Sequence, residues 1–252
     1  AEAPDRRAFL SALGASAIVP AVAPGIAPAV ARCRLIPIGS NLPAVGKSYN
    51  RADFRRKLGY QEKDFVVGFF GFANAPKGLE TLLAALRQLK ASFPGLRLLL
   101  LSQLSDSIGY QRRLKHDLKV TGLADITLNP EYTEPRLAAE MLAAADCAVL
   151  PFIDGVSVKR GSLMACLAQG LPVVTTTPVR GEVDEFQDGV NMRLVPPRDV
   201  KALTNAVREL VQDADLRARL ALGAWDLARR FSWEDIARRQ LALFEEVLEE
   251  NR

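Results

Sequence analysis

The sequence is poor in the residues that build metal and redox sites. It has a single histidine, His116, which leaves a zinc cluster or a Ser-His-Asp triad without spare candidates. Its three cysteines, Cys33, Cys147 and Cys166, are scattered and odd in number, so they predict neither a disulfide framework nor a metal site. Unpaired cysteines indicate a reducing compartment, and the predicted location is therefore cytoplasmic.

Long apolar runs and dense positive charge are also lacking. No apolar run is long enough to span a bilayer. The net charge is only +4, and no Lys/Arg stripe with interleaved aromatic residues occurs, which argues against nucleic acid as a partner. The mild excess of positive charge fits anionic small molecules and the acidic inner face of a membrane equally well.

Apolar residues make up 49% of the chain but aromatic residues only 7%, a mixture that suits helices packed on a parallel sheet. From Phe65 onward, short apolar runs alternate with helical periodicity, which is typical of βα units. We therefore predict an α/β fold, a doubly wound Rossmann-like parallel sheet with strand order 3-2-1-4-5-6. The six predicted strands cover residues 65–70, 96–101, 126–128, 147–150, 172–175 and 192–195.

The first 34 residues have two interpretations. Asp5-Arg6-Arg7 followed by an apolar stretch is similar to a twin-arginine export signal. The alternative is an amphipathic helix followed by a strand at Ala17-Ile18-Val19, which is favoured because Ala-Pro pairs break the apolar region. Residues 35–252 are predicted to form one domain that ends in a closing helix.

Two glycine-rich loops follow the first and fourth predicted strands, which are neighbours at the switch point where such sheets bind ligands. The first loop, 71–78, carries Gly71 and Lys77 before a helix, although alone it is equally a Gly-Pro loop with a solvated lysine. The second loop leads into another helix, with Ser157 or Ser162 as its expected cap. Since the two loops should face each other, we interpret them as a phosphate site rather than as surface charges. The cationic turn of the second loop contains Lys159, Arg160, Gly161 and Ser162.

Two common nucleotide motifs do not fit. Val45-Gly46-Lys47-Ser48 ends like a P-loop, but Asn41 occupies the position of the first glycine and no strand leads into it. No GxGxxG fingerprint follows the first strand. These observations argue against a nucleoside triphosphatase and against a nicotinamide dehydrogenase.

Several segments together resemble family 4 of the retaining glycosyltransferases, which have the two-domain GT-B fold. The segments are LIPIGSN at 35–41, the first loop with its KG before a helix, AADCAVLPF at 144–152, QGLPVV at 169–174 and DGVN at 188–191. The resemblance implies that residues 35–252 are the C-terminal half, which binds the nucleotide-sugar donor. Residues 1–34 would be the remnant of the N-terminal acceptor domain, toward which the closing helix crosses back.

The implied reaction transfers a sugar from a nucleoside-diphosphate sugar, with retention of configuration, to an unknown glycan, lipid or small-molecule acceptor. The resemblance implies no metal and no cofactor besides the donor. It assigns the diphosphate to Gly71, Lys77, Lys159, Arg160, Gly161 and Ser162. Asp154 and Ser157 would lie near the sugar as the catalytic candidates, and the base would contact the loop from Asn129 to Tyr132.

The chain also departs from the family pattern. Phe72 stands where the family often has arginine, and the family's Glu-x7-Glu pair falls at Ser157 and Ala165. These departures keep two alternatives open, a sugar-nucleotide-binding module without turnover and another GT-B enzyme such as a sugar-nucleotide epimerase. The epimerase is disfavoured because such enzymes need acidic and histidine residues in the active site. Here the positions of the family's two glutamates hold Ser157 and Ala165, and the single histidine, His116, lies on a predicted polar helix.

Overall fold

A computed structural model describes residues 36–178 and 185–250. Six strands form one parallel sheet in the order β3-β2-β1-β4-β5-β6, which confirms the predicted order. The strands are β1 (Phe65–Phe70), β2 (Leu96–Leu101), β3 (Thr127–Leu128), β4 (Cys147–Leu150), β5 (Val173–Thr176) and β6 (Arg193–Val195). The third strand is shorter than predicted because Ile126 belongs to a 3₁₀ turn, and the predicted strand at 17–19 lies outside the described residues.

Eight α-helices are present in the described residues. They are α1 (Arg51–Lys57), α2 (Leu79–Lys90), α3 (Gly109–Val120), α4 (Pro135–Ala143), α5 (Gly161–Ala168), α6 (Val200–Gln212), α7 (Ala214–Arg229) and α8 (Trp233–Glu250). Short 3₁₀ helices cover Ala75–Lys77 and Leu123–Ile126. No helix in the described ranges is long and apolar enough to cross a membrane.

The core lies between the sheet and its helices, as the sequence pattern predicts. In β1, Val66, Val67 and Phe69 are fully buried, because both faces of a parallel sheet are covered by helices. Helix α2 buries its apolar stripe of Leu79, Leu82, Leu83, Leu86 and Leu89, which recur at helical spacing. This packing fixes the carboxyl ends of the strands, where the candidate site is found.

Asp146 ties α1 to the sheet just before β4. Its Oδ2 accepts hydrogen bonds from the Val66 backbone amide at 2.7 Å and from Arg55 Nη1 at 3.0 Å. Arg55 is buried, and it also donates to the backbone oxygens of Ala144 and Asp64. Since each charge has a partner, this pair tolerates burial.

Helix α8 differs from the prediction, which placed Trp233, Ile236, Phe244 and Leu248 on its buried side. Only Ile236 is buried, whereas Trp233 is 55% exposed and both Phe244 and Leu248 are more than half exposed. The reason is that α8 packs only by its first turns. There Trp233 Nε1 donates to the Ser40 backbone oxygen at 2.7 Å, and beyond Ile236 every described side chain except Leu243 is exposed.

Candidate functional site

The loops after β1 and β4 meet backbone to backbone at the carboxyl edge of the sheet. The Ile153 amide donates to the Pro76 backbone oxygen at 3.1 Å. Gly78 has φ +64°, and a Cβ added there would lie 2.0 Å from the Pro151 backbone oxygen. Only glycine allows so close an approach in this conformation. The prediction that these two loops face each other is therefore confirmed.

Two cations converge where the loops meet. Lys77 Nζ donates a hydrogen bond to Ser162 Oγ at 3.0 Å. Its Nζ lies 4.9 Å from the centroid of the buried Phe152 ring, and the guanidinium carbon of Arg160 lies 4.6 Å from the same centroid. The pKa of Lys77 is lowered, first by burial and then by the charge of Arg160. An anion bound here would favour the charged form of Lys77 and so oppose both effects.

Arg160 is only partly neutralised within the site. One of its terminal nitrogens contacts the Asp154 carboxylate, which is exposed. Its Nε is buried and has no hydrogen-bond partner within the described residues. A buried donor without a partner costs about 1–3 kcal/mol.

Helix α5 opens onto the same place. It begins at Gly161 with Arg160 in the N-cap position, and no side chain caps it. The prediction of a Ser157 or Ser162 cap is wrong, because the hydroxyl of Ser162 is turned toward Lys77 and Ser157 lies before the N-cap. The amides of the first turn therefore add a partial positive charge, as at many anion sites.

Gly71 lies beside Lys77 and Ser162 in the candidate site. Its φ is +135°, and a Cβ added there would lie 3.4 Å from Ser162 Cβ and 3.7 Å from Lys77 Nζ. Glycine thus keeps open the space beside the cation and the helix N-terminus. The structure brings together Gly71, Lys77, Gly161 and Ser162, four of the residues that the sequence assigns to the diphosphate.

These residues line a cleft of about 370 Å³. Its walls come from the ends of β1 and β2, the loops that follow β1 and β3, and the start of α5. Tyr132 lines the cleft and is 77% exposed, and Phe72 on the opposite loop is 81% exposed. The cleft residues are Asn41, Phe70, Gly71, Phe72, Lys77, Leu101, Ser102, Gln103, Glu131, Tyr132, Thr133, Ala138, Gly161 and Ser162.

Other predicted residues have different surroundings. The side-chain amide of Asn129 donates to the backbone oxygens of Leu100 and Ser102, at 2.6 and 2.8 Å, so this nitrogen joins the ends of β2 and β3. Lys159 is exposed and Ser157 half-buried on the second loop, and neither belongs to the cleft wall. Asp154 reaches the site through its ion pair with Arg160.

Sequence reasoning missed three residues in or beneath the cleft, namely Phe152, Ser102 and Thr133. Phe152 supports both cations, and only its place in the LPF segment could have suggested this. The hydroxyls of Ser102 and Thr133 are buried without a hydrogen-bond partner in the described part of the chain. The signal that could have found Ser102 and Thr133 is their position in the segments that follow β2 and β3. Glu131, which has φ +57°, also lines the cleft and lies within the loop predicted to contact the base, although it was not singled out there.

Comparison with known proteins places this chain in a family. The sequence profile described as "Glycosyl transferases group 1" matches residues 64–213. A D-inositol 3-phosphate glycosyltransferase from Stackebrandtia nassauensis is 34% identical over 193 residues, which cover 73% of this chain and 42% of that protein. The chain thus spans less than half the length of this curated relative.

Solved structures share the fold. Sucrose-phosphate synthase from Thermosynechococcus elongatus superposes with a TM-score of 0.73 at 25% identity, over 86% of this chain and 53% of that one. The Anabaena protein HepE, solved in complex with UDP, gives a TM-score of 0.69 at 22% identity, over 83% of this chain and 56% of that one. With more than half of the sequence matched by one profile and the GT-B fold shared, the chain belongs to the group 1 family of glycosyltransferases.

Proposed function

We propose that residues 35–252 are the donor half of a glycosyltransferase and bind a nucleoside-diphosphate sugar in the cleft. The observation that carries this proposal is the 3.0 Å hydrogen bond between Lys77 Nζ and Ser162 Oγ. It joins the loop after β1 to the uncapped start of α5, so that a lysine and helix amides face one anion. The complex of HepE with UDP supports a nucleoside diphosphate as the ligand.

The chemistry follows from where charge develops. Transfer breaks the bond between the anomeric carbon of the sugar and a diphosphate oxygen, and negative charge grows on that oxygen. Lys77, Arg160 and the first amides of α5 would stabilise this charge by preorganised electrostatics. These groups supply the positive charge that the leaving group needs, so the proposed reaction uses neither a metal ion nor a further cofactor.

The resemblance to family 4 adds retention of anomeric configuration, with Asp154 and Ser157 beside the sugar. The name of the Stackebrandtia relative supports a glycosyl acceptor, whether a glycan, a lipid or a small molecule. The location we propose remains cytoplasmic. We also propose contact with an acidic membrane surface, and this proposal rests on the net charge of +4 alone.

A binding module without turnover is the second candidate, and one observation favours it. The positions of the family's two glutamates hold Ser157 and Ala165, and Ala165 is fully buried in α5. No carboxylate can therefore act at either position. Release of free sugar from a nucleoside-diphosphate sugar by the purified chain would exclude this candidate, whereas binding without release or transfer would support it.

Calorimetric titration with two nucleoside diphosphates, UDP and GDP, tests the proposed site. Each charge-assisted hydrogen bond contributes roughly 1.5–3 kcal/mol, so Lys77→Ala and Arg160→Ala should each weaken binding by about 10–100-fold. Lys201→Ala, at an exposed position on α6 away from the cleft, is the matched control and should leave the affinity unchanged. Unchanged nucleoside-diphosphate binding in the Lys77→Ala, Arg160→Ala double variant would refute the proposal.

A further inference from the structure

The cleft has two charged ends. Among its described wall residues, Lys77 is the one cation and Glu131 the one carboxylate. Lys77 follows β1 and Glu131 follows β3, with β2 between them. Two strand spacings of about 4.8 Å separate β1 from β3, so the two loops lie on the order of 10 Å apart. If the diphosphate lies at Lys77, as the proposed function requires, the nucleoside extends toward Glu131.

Glu131 is held in an unusual conformation. Its φ of +57° places it in the left-handed region, which residues with a Cβ rarely adopt. Within the described residues its carboxylate has no hydrogen bond and no ion pair, so its acceptor oxygens are free for a ligand. Uncommon backbone conformations of this kind concentrate at ligand sites, where the surrounding structure maintains them.

The neighbours of Glu131 suit a flat, polar base. Tyr132, the next residue, is exposed and lines the cleft, and aromatic faces of this kind stack on nucleobases. Ser102 is 4% exposed, and its hydroxyl has no partner within the described chain. The Thr133 hydroxyl is also buried without a partner within the described chain, and Ser102 and Thr133 both line the cleft. This end of the cleft therefore combines a glutamate, one exposed aromatic ring and two buried hydroxyls without partners.

The geometry points to guanine as the base that this end of the cleft selects. Guanine presents two adjacent donors, N1–H and the exocyclic amino group, so one carboxylate accepts from both. Its O6 is an acceptor that a serine or threonine hydroxyl can satisfy. Uracil has one ring N–H between two carbonyl oxygens, so a carboxylate that accepts from it holds its second oxygen against a carbonyl. Glu131 thus both attracts guanine and repels uracil, and the donor is a guanosine-diphosphate sugar.

The UDP complex of HepE does not decide the base for this chain. At 22% identity that likeness concerns the fold, and a fold carries many specificities. The specificity follows instead from one side chain in the loop after β3. A single substitution that keeps the size of Glu131 can therefore test it.

The test is calorimetric titration of the 252-residue chain with GDP and UDP. A site built to hydrogen-bond both donors of guanine should bind GDP at least roughly tenfold more tightly than UDP. Glu131→Gln keeps the length of the side chain but turns one carboxylate oxygen into an N–H donor. It should remove the preference by weakening GDP binding, while UDP binding is not weakened. Glu134→Gln, an exposed glutamate before α4 and outside the cleft wall, is the matched control and should preserve the preference.

The outcomes separate the inference from the function on which it rests. Tighter binding of GDP that Glu131→Gln abolishes supports it. UDP binding as tight as GDP, or an equal loss of both in Glu131→Gln, overturns the selection of guanine and leaves the diphosphate site standing. Failure of the unmodified chain to bind either nucleotide overturns the proposed function itself.

Discussion

Replacement of Gly78 by alanine tests the architecture of the cleft. Alanine at φ +64° has to adopt a left-handed conformation, which costs roughly 1–2 kcal/mol. Its Cβ would also lie 2.0 Å from the Pro151 backbone oxygen, so one of the two loops must move. Overpacking of this kind costs a further 1–3 kcal/mol or so, because a backbone atom cannot rotate away. We therefore expect the free energy of unfolding to fall by about 2–5 kcal/mol, the sum of the two costs.

Gly59 is the matched control for this experiment. Its φ is +82°, but an added Cβ would meet nothing within 4 Å. Gly59→Ala should therefore show the conformational cost alone, about 1–2 kcal/mol. Urea unfolding of both variants, followed by circular dichroism, separates the clash from the conformational cost. Equal destabilisation by the two substitutions would show that the loops do not pack backbone to backbone at Gly78. Nucleoside-diphosphate binding by Gly78→Ala at full affinity would show that this packing does not position the site.

Three further predictions concern side chains that are buried or partly buried. Asp146→Ala leaves Arg55 buried without its carboxylate, so guanidinium unfolding should show a loss of about 3–5 kcal/mol, and a loss below 1 kcal/mol would contradict the structure. The pKa of Lys77 is lowered by burial and by the charge of a neighbouring arginine, so its ammonium loses its proton at lower pH than an ordinary lysine. Nucleotide affinity measured by calorimetry should accordingly fall as pH rises into the alkaline range, and Lys77→Arg should remove this fall. Burial raises the pKa of the Cys166 thiol to about 12 and that of Cys147 still further. Peptide mass spectrometry after iodoacetamide treatment should find both unmodified in the native protein and modified in urea, and labelling of either before unfolding would contradict their burial.

The exposed apolar side chains of α8 show where sequence periodicity stops being informative. The spacing of Ile236, Phe244 and Leu248 is that of a buried helical face, and the helix forms as predicted. Burial depends on what lies beside the helix, however, and of these three side chains only Ile236 is buried in the structure. Periodicity states which residues share a face but not whether that face is covered.

Much of the fold and the position of the cleft follow from the sequence by itself. Apolar runs separated by helical stripes determine parallel βα units. A continuous apolar run indicates a strand buried on both faces, and an apolar stripe at helical spacing indicates a helix buried on one face. The order 3-2-1-4-5-6 then places the loops containing Lys77 and Gly161 at the switch point. The motifs that accompany them indicate the glycosyltransferase family, which the sequence profile bears out.

Tertiary structure alone decided the partners of individual side chains. Asn129 belongs to the loop predicted to meet the base, yet its amide nitrogen joins two strand ends instead. Ser162 looks like a helix cap but accepts a hydrogen bond from Lys77, 85 positions away in the chain. The placement of Glu131 in the cleft likewise depends on the relative position of β1 and β3. These contacts join residues that are distant in the chain, so no local pattern records them, and only the folded sheet brings them within reach.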